Sequence, residues 1–253
     1  MRNRTRLIFQ AVGQKVSRLG DVIQQPRLLS VRVRGIDVGI FESLYKPWLL
    51  NADIYTIFDV GANTGQFARA IHEILPHAYI YAFEPLSDCF KALQKDMRHV
   101  KHFQAFNTAL GESEGEAVFY RSGWSPSSSL RPMGSLHKEY FPYTAQQSQE
   151  IIHVRRLDHY ADALKIRENV LVKLDVQGCE DKVIEGGQRL LQRAKILIVE
   201  MSMVALYEGQ PLFRHIFTML DRLGFTYHGA LSQFASPSDG SVVQADAIFV
   251  RDA

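Results

Sequence analysis

Apolar residues along this chain alternate between two spacings. Over residues 54–60, Ile54, Tyr55, Ile57, Phe58 and Val60 make a β-branched and aromatic run that stops at Gly61, the pattern of a buried strand. The next stretch, QFARAIHEIL, sets Phe67, Ala70, Ile71 and Ile74 on one helical face. AYIYAFEP then predicts a second strand, closed by Glu84 and Pro85. LSDCFKALQKDM predicts a helix and HVKHFQAF a strand. NTALGESEGEAVFYRS predicts a turn with a short hairpin, and EIIHVRRLDHYADAL a strand that runs into a helix. NVLVKLDVQGCE predicts a buried strand, and DKVIEGGQRLLQRA a helix broken at Gly186 and Gly187. KILIVEMS predicts a strand ending in Glu200, and PLFRHIFTMLDRLG a helix bounded by Pro211 and Gly224. FTYHGAL and ADAIFV predict two closing strands that follow each other directly. The expected class is α/β, a mostly parallel sheet with a terminal antiparallel pair.

Two stretches break the alternation. Residues 1–24 place Ile8, Val12, Val16, Leu19 and Ile23 at helical spacing, with Arg2, Arg4, Arg6, Lys15 and Arg18 between them. That is an amphipathic helix rather than a signal peptide, because its apolar residues are periodic and not contiguous. Docking on the rest of the chain, or on a second copy as a homo-oligomer contact, is the expected role. Peripheral contact with an anionic membrane is the alternative. Residues 123–149 are rich in Ser, Pro and Gln, an irregular insert of the kind that forms lids. Its aromatics Trp124, Tyr140, Phe141 and Tyr143 argue against plain disorder. The expected organisation is an N-terminal helical extension over 1–50 and one domain over 51–253, with a lid inserted at about 121–150.

Composition narrows the class. The 253 residues are 46% hydrophobic and 22% charged, as in a soluble globular protein, with cytoplasmic location expected. A net charge of +2 implies no strong field for nucleic acid. Two cysteines, Cys89 and Cys179, provide neither a disulfide framework nor a zinc set.

The chemistry begins at DVGANTGQF. A P-loop requires G-x-x-x-x-G-K-[ST], but here the second glycine comes one residue early and Gln66 stands in the lysine position. The dinucleotide fingerprint requires G-x-G-x-x-G, but Asn63 holds the place of its middle glycine and obstructs a pyrophosphate. Gly61 and Gly65 suit a nucleoside without a pyrophosphate, or a plain tight turn. Glu84 favours the nucleoside, because an acid about twenty residues beyond the loop, at the next strand end, accepts hydrogen bonds from ribose hydroxyls. Further on, Lys173 and Asp175 interrupt an apolar strand two residues apart and share a face, either as a structural pair or as part of a site. Asp175, Glu180, Asp181 and Glu200 offer oxygen ligands for Mg²⁺, although Glu180 and Asp181 also suit a helix start. The sequence leaves the metal open.

DVGANTGQF, FEP, NTALGESEG, SSL, the Leu157–Asp158 pair, VKLDVQGCEDKVIEGG, IVEMS, LGF and DAIFVR together resemble the FkbM family of S-adenosylmethionine-dependent methyltransferases, over about residues 57–251. The resemblance implies a Rossmann-like, seven-stranded class I methyltransferase sheet with helices on both faces. It also implies S-adenosyl-L-methionine as cofactor and methyl transfer to an oxygen. Asp59, Gly61, Asn63 and Gly65 would hold the methionine end, Glu84 the ribose, and Asn107 and Ala109 the adenine. Asp175 would sit beside the methyl. The family usually reads D-V-E-G-x-E where this chain has DVQGCE, so Gln177 departs from the pattern.

An alcohol attacks poorly until its proton leaves, so a base is expected. Asp175 is the first choice, and His153 and His137 follow. Trp124, Ser128 and Ser129 are candidates for the acceptor wall, with a sugar, glycan, glycolipid or secondary-metabolite hydroxyl as the expected acceptor. The rival readings are a nicotinamide-dependent oxidoreductase and a non-catalytic cofactor-binding module.

Overall fold

The computed structural model describes residues 26–236 and 238–251. The amphipathic stretch expected over residues 1–24 lies outside them. Among the described residues three short helices come first: α1 (Pro26–Val33), α2 (Val38–Leu44) and α3 (Pro47–Leu50). The main sheet then forms from β1 (Thr56–Val60), β2 (Tyr79–Phe83), β3 (Phe103–Phe106), β7 (Val170–Leu174), β8 (Ala194–Ser202), β9 (Thr226–Ala235) and β10 (Val242–Val250). Their spatial order is β3-β2-β1-β7-β8-β10-β9. The first five run parallel, and β10 runs antiparallel to both β8 and β9. This is the seven-stranded mixed sheet implied by the resemblance.

Alternation along the strands divides the core into two layers. Ile57, Ile80, Leu171, Ile198 and Ile248 face one way, against Phe67 and Ile71 of α4 (Gln66–Ile74) and Phe41 and Leu44 of α2. Phe58, Phe83, Val172, Leu197 and Phe249 face the other way. They meet Val183 and Ile184 of α8 (Glu180–Gly186) and Ile216 and Leu220 of α10 (Phe213–Arg222). Helix α5 (Ser87–Met97) connects β2 to β3, and α7 (His159–Ala163) precedes β7. The Leu157–Asp158 motif is structural: the buried Asp158 carboxylate accepts from Leu190 N at 2.9 Å and Arg189 N at 3.2 Å. It thereby satisfies the first turn of α9 (Gln188–Leu191).

The hairpin expected within residues 107–122 is corrected. Strands β4 (Ala109–Leu110) and β5 (Gly115–Ser122) do not pair with each other. Both pair with β6 (Gln147–Arg155), β4 in parallel and β5 antiparallel, which makes a separate three-stranded sheet. Ala109, Phe119, Ile152 and Val154, drawn from all three strands, are buried together in one cluster that this pairing assembles. The irregular insert is also more ordered than its composition implies. Between β5 and β6 it forms two 3₁₀ turns, Ser125–Ser127 and Pro142–Thr144, and helix α6 (Ser135–Tyr140). Ser122 ties its ends, as its N–H donates to Ser128 Oγ at 3.0 Å and its hydroxyl to Thr144 O at 2.8 Å.

The main sheet brings one row of residues to its carboxyl edge. One step beyond the register pairs Val60–Phe83 and Val60–Leu174 lie Gly61, Glu84 and Asp175. Leu174 pairs with Val199, so Asp175 adjoins Glu200, which pairs with Asp246, which pairs with Ser232. Residues in register share a face. Glu84, Gly61, Asp175, Glu200, Asp246 and Ser232 therefore form a single line on the face covered by α2 and α4.

Gly186 tests how the small sheet is attached. A Cβ there would lie 1.9 Å from Gly111 O and 2.9 Å from Gly111 C, both rigid backbone. Gly186→Ala is expected to destabilise the fold by about 1–3 kcal/mol or more, as overpacking does. Urea unfolding measures this, and an unchanged midpoint would mean that the two segments are not held in contact.

Candidate functional site

Above the carboxyl edge lies a cavity of about 570 Å³. Gly61, Ala62, Asn63, Gln66 and Phe67 form its floor, and Glu84, Pro85, Leu86, Thr108, Ala109 and Leu110 form one end. Ser125, Pro126, Ser128 and Leu130 of the insert close one wall. Lys173, Asp175, Val176, Ser232 and Asp246 line the other end.

Glycine is required at position 61. Its φ is +82°, and a Cβ would stand 1.8 Å from the Asp175 carbonyl oxygen. Backbone contact at this point presses the β1 loop against the β7 loop. Gly65, with φ +91°, starts α4 in the left-handed region, and a Cβ there would meet Leu93 Cδ1 at 2.7 Å. Asn63 also has a positive φ, 47°, which asparagine tolerates better than most residues. Its Nδ2 donates to Ser125 Oγ at 3.1 Å and so links the loop to the insert.

Glu84 organises the other side of the loop. One oxygen accepts from Asn63 N and the other from Leu86 N, both at 2.8 Å. Burial, the largest influence, raises its pKa to about 7 against these two amide hydrogen bonds. Each oxygen keeps a lone pair for a ligand hydroxyl.

At the centre, Lys173 Nζ donates to Asp175 Oδ2 at 2.9 Å and lies 3.9 Å from Asp59 Oδ1. Burial opposes the ammonium charge, but Asp175, Asp59 and Asp246 outweigh it and raise the pKa. Gln177, held at a φ of 55°, bridges two acids. Its Nε2 donates to Asp175 Oδ1 at 2.8 Å and to Glu200 Oε2 at 2.7 Å, and its Oε1 accepts from the Tyr207 hydroxyl at 2.8 Å. Where the family pattern would place a further carboxylate, this chain places an amide donor that satisfies both neighbours. Glu200 is raised well above the usual carboxylate range by burial, and next by Asp175 and Glu180.

The sequence-derived candidates fall into three groups. Gly61, Asn63, Glu84, Ala109, Ser128 and Asp175 meet at the cavity. Asp59, Gly65 and Ser129 lie beneath it: Asp59 is fully buried, and Ser129 donates to Gln177 O at 2.7 Å. Asn107, His153, His137 and Trp124 are not among the residues that line the cavity. The Asn107 amide is used by Glu84 O and Pro85 O, so it braces the loop and leaves Thr108 at the wall. His153 points outward from β6, 72% exposed, beside Glu116. His137 is buried under the insert against Thr144 and the Tyr207 hydroxyl, and burial lowers its pKa. Trp124 is 53% exposed and packs edge-on against Tyr143. The four acids considered for Mg²⁺ are each engaged by protein groups, Asp175 by Lys173 and Gln177. Glu180 accepts from Val176 N and Gly178 N, Asp181 pairs with Arg131, and Glu200 with Gln177. Among the described residues no three His, Cys, Asp or Glu side chains group as a metal site. Sequence reasoning missed Gly39, Ile40 and Ser43 of α2, which also line the cavity, together with Leu231, Ser232 and Asp246. Asp246 carried a legible signal, an acid inside the apolar run ADAIFV.

Electrostatics select the ligand. Among the described residues both oxygens of buried Asp59 lack a hydrogen-bond partner, and Glu84 and Asp175 face the cavity. A pyrophosphate would meet these carboxylates, while the loop amides that could cradle it are already used, Asn63 N by Glu84 and the Gly61 and Ala62 amides by Phe83 O. A ligand with a sulfonium and an ammonium fits the same lining favourably, and its ribose fits Glu84.

The buried acids also set a pH dependence. Burial raises Asp59 to about 6, partly offset by Lys173, and raises Glu180 to about 7. With Glu84, these groups hold protons in the folded state that the unfolded chain has released. Their stabilisation is complete below about 4.5 and is lost as pH rises through about 7. The thermal midpoint is expected to fall from pH 5 to pH 8, by about 2–4 °C per kcal/mol at this size. Glu84→Gln should flatten the slope in differential scanning calorimetry. A midpoint that rises across this interval would contradict the assignment.

A family model, the methyltransferase FkbM domain, matches residues 59–227. The chain is 28% identical over 171 residues to the 2-O-methyltransferase NoeI of Sinorhizobium fredii, covering 65% of this chain and 70% of that protein. It is 25% identical over 193 residues to methyltransferase 1 of Beauveria bassiana, covering 72% and 76%. Aeropyrum pernix fibrillarin, solved with natively bound S-adenosyl-L-methionine, is a distant likeness at 11% identity and a TM-score of 0.43, covering 77% of this chain and 66% of that one. Among the described residues no helix is long and apolar enough to cross a membrane. The family match runs from Asp59 in β1 to Tyr227 in β9, and the chain belongs to the FkbM family of S-adenosylmethionine-dependent methyltransferases.

Proposed function

We propose that the protein transfers a methyl group from S-adenosylmethionine to a hydroxyl oxygen of a sugar, glycan, glycolipid or secondary metabolite. The observation that carries this reading is Asp175. Its carboxylate opens on the cavity and is held by Lys173 on one oxygen and Gln177 on the other. The 2-O-methyltransferase activity in the name of the NoeI relative supports an oxygen acceptor.

Bound, the cofactor supplies a methyl already activated on a sulfonium sulfur. The chain's own residues do the rest. Glu84 receives the ribose hydroxyls, and the backbone at Gly61 and Asn63 receives the methionine end. Ala109 and Thr108 border the adenine. Ser128 and its neighbours Ser125 and Pro126 form a wall that excludes water from the reacting atoms. Asp175 orients the acceptor hydroxyl and takes its proton as the oxygen attacks. Two fixed donors hold that carboxylate in place and leave its other lone pairs for the acceptor. Asp59 and Gly65 support the loop from below. An oxidoreductase using a pyrophosphate cofactor fits poorly against the acidic lining. A purely binding module gives no reason for a positioned carboxylate at the centre.

Two substitutions separate the roles. Glu84→Ala is expected to weaken S-adenosylhomocysteine binding by about 1.5–3 kcal/mol, the worth of hydrogen bonds to a charged group. Unchanged affinity in titration calorimetry would remove Glu84 from the site. Asp175→Asn, nearly isosteric, should keep cofactor affinity and lower turnover by roughly 10²–10⁴. A panel of hydroxylated sugars and glycolipids with radiolabelled cofactor supplies the assay. Normal turnover in the variant would place the base elsewhere, and an unfolded variant would make the Lys173–Asp175 pair structural.

A further inference from the structure

The cavity is longer than the cofactor assignment uses. Beyond Asp175 it continues between α2 and the β10–β9 end of the sheet. Gly39, Ile40 and Ser43 form a roof there, and Leu231, Ser232 and Asp246 a floor. Nothing in the roles given above occupies this end. Its chemistry is mixed. Ile40 and Leu231 are apolar, while Ser43, Ser232 and Asp246 supply a hydroxyl pair and a carboxylate.

Asp246 is the group that gives this end its direction. It stands in the same row as Asp175, two strands away, with Glu200 between them. Strands lie about 4.8 Å apart, so the two backbones are separated by roughly 10 Å. The Ser232 hydroxyl donates to Asp246 Oδ2 at 2.6 Å and fixes the carboxylate. Among the described residues Oδ1 has no hydrogen-bond partner and is not sealed from the cavity. Lys173 lies on the same face one row below, so both carboxylates sit above one ammonium. An acceptor lying between Asp175 and Asp246 thus meets an oxygen acceptor at each end and apolar side chains above and below. A ring with hydroxyls on its rim and C–H faces has that distribution. A monohydric alcohol would leave Asp246 Oδ1 desolvated without a partner, which is costly.

We infer that Asp246, oriented by Ser232, binds a second hydroxyl of the acceptor across the ring from the hydroxyl that Asp175 addresses, so that the acceptor is a polyol such as a sugar ring. This rests on the methyl-transfer reading of the same site. Asp246 and Ser232 select the acceptor and contribute nothing to cofactor binding.

The test uses the full chain saturated with S-adenosylhomocysteine, which separates acceptor binding from turnover. The probes are the methyl α-pyranosides of glucose, mannose and galactose, with cyclohexanol as the monohydric comparison. Saturation-transfer NMR reads the affinity of each. At least one glycoside is expected to bind the wild type, and cyclohexanol is not. Asp246→Asn should weaken that glycoside about tenfold or more, as expected for loss of a charged hydrogen-bond partner. Ser232→Ala should weaken it less. S-adenosylhomocysteine affinity should stay within about twofold of wild type in both variants, which also shows that they fold. The inference is overturned if Asp246→Asn binds the glycoside as tightly as wild type. It is equally overturned if cyclohexanol binds as well as the glycosides, or if no glycoside binds. A glycoside that binds through Asp246 but takes no radiolabelled methyl from S-adenosylmethionine supports the subsite and overturns the transfer reading instead.

Discussion

A single lysine ammonium under the cavity is the charge on which the carboxyl edge depends. Lys173 is only 13% exposed and sits among Asp175, Asp59 and Asp246. Without it, these carboxylates would face one another across a low-dielectric gap and would have to protonate. With it, Asp175 remains anchored and oriented. Removing the lysine would leave its acids uncompensated, which costs far more than the pairing contributes. The arrangement is therefore a constraint on the whole edge, and the site inherits its geometry.

Register converts that constraint into a binding surface. Parallel pairing of β1 with β2 and β7, and antiparallel pairing of β10 with β8, bring residues distant in sequence to one line. The absence of a side chain at Gly61 lets the β1 loop touch the Asp175 carbonyl, so the nucleoside end and the reacting end share a wall. Glu84 locks the same loop through the Asn63 amide. Gln177 performs the corresponding task at the centre, as a neutral donor between two acids. Tyr207, and behind it His137, buttress Gln177 from beneath the insert, so the insert stiffens the centre of the site as well as covering it.

Local pattern made much of this legible. Strand runs ending in Gly61, Glu84, Asp175 and Glu200 marked the carboxyl edge, because each break from apolar to polar residues coincides with a strand end. Long-range pairing was not legible. Residues 107–122 read as a hairpin because β5's true partner, β6, lies beyond the insert, and local spacing does not encode which strand bridges a gap. His153 and His137 were drawn in by chemistry alone. Strand alternation puts His153 on the outer face of β6, and His137 is consumed by packing. Asn107 illustrates a third limit, since a side chain beside a site can spend its hydrogen bonds on neighbouring protein groups, here Glu84 O, Pro85 O and the Ser87 hydroxyl. The contribution of α2 was hidden because Gly39, Ile40 and Ser43 carry no motif, and only tertiary packing brings them over the cavity.

In the proposed reading Glu84 and Asp175, the second anchored on Lys173, position a cationic nucleoside cofactor along the carboxyl edge with its reacting end at Asp175. A crystal structure with S-adenosylhomocysteine tests it most directly. Ribose hydroxyls are expected on the Glu84 carboxylate, the homocysteine end over Gly61 and Asn63, and the sulfur directed toward the open space beside Asp175. A ribose bound away from Glu84, or a sulfur separated from Asp175 by protein, would contradict it.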